Sequence, residues 1–190
     1  MGRIVIAGIV AGLLVFVWGA VAHTVLLSNA GMQEPTESAQ NVALAALEGS
    51  FDKEGVYLLP MMPEAAWEDD AAMARFGADA AQRPYAFVVF QPQGTNIDAG
   101  FPGLLARQAG LDVLAGLLAA FVAASIAGSL TRRALSVAAM GVFAWLTVAA
   151  PYWNWYRFPA EFIGAALIEK AVGWLLAGFV IAWFLRPRAA

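Results

Sequence analysis

Four ionisable side chains, His23, Asp112, Glu169 and Lys170, stand inside stretches that are otherwise apolar. One unpaired charge in a bilayer costs about 3 kcal/mol or more, so each is expected to face a partner, a neighbouring helix or a cavity. A histidine with two carboxylates has the donor types for a hard or borderline divalent ion. The spacing matches no ligand motif, and His23 is the single histidine of the chain. No metal and no cofactor are therefore expected. A binding or transport role for a lipid, quinone, proton or ion stays open for the cluster, beside a purely structural one. In the structural reading Glu169 pairs with a base of another helix, while Lys170 snorkels or neutralises Asp112, and the pairs fix helix register. Neighbours on a helix point about 100° apart, so Glu169 and Lys170 are not expected to pair with each other.

Catalytic signatures are missing. The chain has no cysteine, no Walker A sequence, no G-x-S-x-G, no H-E-x-x-H and no dinucleotide fingerprint. No nucleophile stands beside a base. No catalytic residue is assigned, and an outer-leaflet enzyme is kept only as the lesser alternative.

A second constellation is aromatic. "PYWNWYRFPAEF" sets Tyr152, Trp153, Asn154, Trp155, Tyr156 and Arg157 in one short stretch. Rings of this kind sit at headgroup level as an interfacial belt. The sharper reading is a wall for an amphiphile entering sideways, with Asn154 and Arg157 as polar contacts; Arg157 alternatively meets lipid phosphate.

The elements that must position these residues are helices of membrane length. The 190 residues are 61% hydrophobic with mean hydropathy +0.68, against about 45–50% apolar in soluble domains. Four apolar runs are long enough to span a bilayer: Ile4–Leu27, about 104–130, 134–153 and 162–185. The first resembles a signal peptide in its basic start and "AVA", but its apolar run is longer than an h-region, so a retained span is expected. At 100° per residue His23 continues a stripe of Gly8, Gly12 and Gly19. Asp112 continues one of Gly116, Ala120 and Ala123, and Glu169 with Lys170 shares a side with Gly173 and Ala177. Small residues mark faces where membrane helices approach closely, so all four polar groups are expected to point at neighbouring helices.

Charge sets the orientation. Arg3, Arg132, Arg133, Arg186 and Arg188 fall at one side of the spans, and the connection Ser28–Ala106 carries eleven acids against three bases. By the positive-inside rule both termini are cytoplasmic and the connection external. An acidic outside excludes nucleic acid as a partner. Within residues 28–103, "PTESAQNVALAALEG" reads as a helix capped by Thr36, "GVYLLP" as a strand, "PEAAWEDDAAMARFGADAAQ" as a helix with Pro63 at its first position, and "YAFVVFQP" as a strand. So small an α-β-α-β unit has little core of its own and should lean on a partner.

"FVWGAVAH", "GVYLLP", "PYAFVVF" and "YWNWYRFP", followed by "IEKAVGWLLAGFVIA", together resemble a group of bacterial inner-membrane proteins known mainly as hypothetical transmembrane proteins. The resemblance implies one span, an external insertion and three further spans, and carries no activity. The expectation is an α-helical integral membrane protein of the bacterial inner membrane. Residues 1–27 form the first span, 28–103 an external acidic domain and 104–190 a three-helix region. Its expected role is that of a non-catalytic accessory or scaffold protein that acts through helix–helix assembly, as its glycine stripes suggest. It would act in contact with membrane lipids, as a homo-oligomer or as a subunit of a larger membrane complex.

Overall fold

The computed structural model describes residues 1–186, so Arg188 of the basic set lies outside the described residues. The chain forms two compact units, one built from Met1–Gln33 with the segment from Ile97 onward, the other from Glu34–Asn96.

Four helices of the first unit are long and apolar enough to cross a membrane. Helix α1 (Gly2–Val21) continues through a π-helical turn, Ala22–Leu26. Helix α4 covers Ile97–Ser125. Helix α5 (Leu130–Ala144) runs through a second π-helical turn, Trp145–Ala149, into α6 (Ala150–Tyr156), and α7 covers Ala160–Leu185. The second of these spans starts earlier than the apolar run suggests, at Ile97 instead of about residue 104. Its first turns hold Asp98 and tolerate Pro102, a residue acceptable near a helix start. It also stops earlier, because Gly128 takes φ 119° and Ser129 caps α5 by accepting from the Arg132 N–H at 3.2 Å.

Packing orders the helices as α4, α1, α7, α5, each resting chiefly on the next. Glycines make the close approaches. A Cβ on Gly8 would come within 2.6 Å of the Leu117 Cα, one on Gly12 would run into the Asp112 carbonyl, and one on Gly116 into the Gly8 carbonyl. Backbone therefore meets backbone across α1 and α4, which is the close contact that small residues permit between apolar helices. On α7, Gly173 admits the Trp18 ring and Gly178 lies against the Ala134 carbonyl; Gly141 of α5 admits the Trp174 ring. Alanines 7, 11, 119, 120, 123 and 177 fill the core with Val15, Val137 and Ile181. Only 28, 22, 17 and 28% of the most apolar windows of the four spans is buried inside the protein, so most of their apolar surface faces outward.

Arginines tie off one end. Arg3 donates to the Arg186 carbonyl at 2.8 Å, and Arg133 donates to the carbonyls of Ile126 at 2.8 Å and Leu185 at 3.1 Å. Guanidinium groups thereby satisfy carbonyls at the helix C-termini, where cations are favoured.

The second unit runs α2 (Glu37–Glu48), β1 (Gly55–Leu59), a 3-10 turn (Glu64–Ala66), α3 (Asp70–Ala80) and β2 (Ala86–Phe90). The strands pair antiparallel, with Val56 opposite Val89 and Leu58 opposite Phe87. Thr36 caps α2, its hydroxyl accepting from the Ala39 N–H. Pro63 opens only the 3-10 turn; α3 starts at Asp70 because the Asp69 carboxylate accepts from the N–H groups of Ala71 and Ala72. Phe51 stacks on Tyr57, with centroids 3.9 Å apart, and leans on Phe90. Among the described residues Phe90 is the unit's one buried apolar side chain.

Candidate functional site

The site is built where the end of α1 meets the first half of α7. Trp18, one turn before His23, donates its indole N–H to the Glu169 carbonyl at 2.9 Å, and Gly173 leaves room for the ring. Trp145 of the second π-helical turn does the same from the other flank, donating to the Ile163 carbonyl at 2.9 Å. Two indoles thus fix α7 in depth and rotation against its neighbours. On α1 the π turn Ala22–Leu26 carries His23. Single π turns inside helices recur at functional sites.

The polar side chains form a linear set. His23 Nε2 lies 3.0 Å from Glu169 Oε2, and Lys170 Nζ lies 2.9 Å from Glu169 Oε1. Glu169 is the enclosed member, its side chain 13% exposed against 72% for His23 and 42% for Lys170. The carboxylate is therefore held between two nitrogen groups that reach it from more open positions. Gly19 is the residue beneath it, a Cβ there standing 3.9 Å from Glu169 Oε1.

The expectation that Glu169 and Lys170 would not pair is corrected by this geometry. Their Cβ directions do diverge, but the four-carbon lysine stem bends back far enough to set Nζ on the neighbouring carboxylate. Asp112 does not join the set either. Its carboxylate is taken by the side-chain amide of Gln108, one turn away on α4, at 3.1 Å to each oxygen. Among the described residues no three His, Cys, Asp or Glu side chains gather as a metal set. The glycine stripe that led to His23 is also divided. Gly8 and Gly12 face α4, whereas Gly19 and His23 face α7.

Beyond α1 the chain turns at Gly31, φ 69°, whose Cα side lies so close to Phe162 that a Cβ would come within 2.6 Å of it. That turn folds residues 27–32 over α7 and closes a cavity of about 90 Å3 whose wall includes His23, Glu169, Ser28, Met32 and Phe162. The wall is apolar apart from the serine hydroxyl and the acid–base pair. Such a cavity holds a few waters or a small polar group. Ser28, Met32, Phe162 and Trp18 carried no signal in the sequence, since their roles come from the turn at Gly31 and from the α1–α7 crossing.

The aromatic stretch makes two layers. Tyr152 packs on Tyr156 at 5.6 Å and on Phe158 at 5.2 Å, and Phe158 continues to Phe162 at 5.7 Å. Trp153 and Trp155 point outward, 55 and 75% exposed. Arg157 ends α6 in the left-handed conformation, φ 55°, reversing the chain into α7. Asn154 lies exposed in the same short helix.

No family model, curated protein or solved structure matches the chain.

Proposed function

We propose that this is a bacterial inner-membrane protein with four spans and both ends cytoplasmic, and that it works without catalysis, as an accessory or scaffold subunit. Its external unit is the part that docks, on a second copy or on a larger membrane complex. The observation that carries this reading is the open apolar surface of residues 34–96. Val56 and Val89, opposite each other on one sheet face, are 62 and 71% exposed, and α2 leaves Val42 and Leu44 69 and 62% exposed. Exposed apolar faces of this kind mark interaction sites. The close glycine contacts, by contrast, are used inside the chain and lend assembly no support. The orientation is supported by Arg3, Arg133 and Arg186 meeting at one end of the helices, the side favoured for basic residues. Photo-crosslinking from position 89 in living cells tests the docking role. A discrete crosslinked band that position 77 does not give is the expected result; no band from either position would overturn it.

A second reading rests on the His23–Glu169–Lys170 set and its cavity, which would bind a proton, ion or small polar headgroup from the outer side. Glu169→Gln abolishing a ligand-dependent stabilisation while leaving assembly intact is the result this second reading requires.

A further inference from the structure

A second cleft lies beside the cavity. It has a volume of about 550 Å3 and runs between residues 26–30 and the first turns of α7. Its apolar walls include Leu26 and Ile168, both more than half exposed to the outside. Gly164 lies in its floor, where an added Cβ would meet nothing within 4 Å. Ser28, Asn29 and Glu161 are its polar lining residues. From Glu161 to Ile168 is seven residues, about 10 Å along the helix.

The geometry points to an ammonium-bearing phospholipid, phosphatidylethanolamine, as the occupant of this cleft. The inference rests on the reading that α1 and α7 span a bilayer, which sets the cleft at headgroup level with its apolar side open to the acyl chains. Glu161 is the one charged residue in the lining, and among the described residues no ion pair engages it. An isolated carboxylate selects a cation and repels an anionic headgroup. A primary ammonium both pairs with the carboxylate's charge and donates hydrogen bonds to it, whereas a choline group has no N–H to give. The Ser28 hydroxyl and the Asn29 amide are donors in the same lining for the phosphate. A floor of Gly164 and a wall of Ile168 accept the first methylenes of a chain.

The full chain, purified in mild detergent, is titrated with dioleoyl phosphatidylethanolamine, phosphatidylcholine or phosphatidylglycerol and read by native mass spectrometry. The expected order is ethanolamine over choline over glycerol, with at least a fivefold difference between first and last by way of about 1 kcal/mol of selectivity. Glu161→Gln, an exposed substitution, levels the ethanolamine and choline lipids. Gly164→Leu fills the groove and removes retention of all three, with helicity unchanged by circular dichroism. Equal retention of phosphatidylglycerol by the native chain, or an ethanolamine preference that survives Glu161→Gln, overturns the assignment. Extraction of native membranes with alkaline carbonate separates the two failures. Release of the chain would sink the spanning reading itself, whereas a retained chain without lipid preference sinks the cleft assignment alone.

Discussion

At the scale of single residues, the pairing at the end of α1 is asymmetric. Among the described residues Glu169 has two charged partners, and each of them pairs only with Glu169. Removing the carboxylate in Glu169→Leu leaves Lys170 without its counter-charge, whereas Lys170→Leu leaves the His23 pair in place. Hydrogen bonds to charged groups contribute about 1.5–3 kcal/mol, and the exposure of His23 and Lys170 brings the figure to the lower end of that range. Glu169→Leu should therefore lower the thermal midpoint in detergent by clearly more than Lys170→Leu. Equal shifts would mean that the set is not centred on Glu169. Trp18→Phe deletes the indole N–H and leaves a smaller ring in the space at Gly173, so its cost should exceed that of one hydrogen bond between membrane helices, about 0.6–1.7 kcal/mol. Denaturant titration of the two chains gives that difference directly.

At the scale of elements, the α1–α4 crossing has no spare space. Gly12→Leu forces a side chain into the Asp112–Val113 backbone, a conflict that moving side chains does not relieve. Overpacking of this type costs about 1–3 kcal/mol or more, so loss of folded protein is expected, while Gly2→Leu, which meets nothing within 4 Å, should be neutral. Comparable yields of both variants would contradict the crossing. The helices and strands themselves were legible in the sequence, because runs of apolar residues and the Thr36 cap act locally. Their ends were less so. The 3-10 turn at Glu64–Ala66 and the late start of α3 depend on which of several acids wins the capping position, and Asp69 does so over Glu64 and Glu68. Of the site, the sequence singled out His23, Glu169 and Lys170 from charge in apolar runs; Glu169 does meet a base of another helix, His23, but Lys170 turns to Glu169 and not to Asp112. A stripe on one helix does not say which neighbour each part of it meets, and here α1 turns Gly8 and Gly12 to one helix and His23 to another. Met32 and Phe162 came within reach only through the backbone turn at Gly31.

The whole molecule combines a first unit whose apolar surface mostly faces outward with a second unit that has hardly any core. Residues 34–96 carry ten acids against three bases, a net charge of −7, so a docking partner of complementary basic character would associate faster at low salt than at high salt. An alkaline phosphatase fusion after Gly77 should be active in the proposed topology, and inactivity would reverse the orientation. The measurement closest to the central claim is native mass spectrometry of the chain extracted gently from its own membrane, alone and as the Val56→Asp, Val89→Asp double variant. The account predicts added mass from a second polypeptide or further copies in the native chain, and its loss when the exposed sheet face is charged. A bare single chain in both samples, or added mass that the double variant retains, would contradict it.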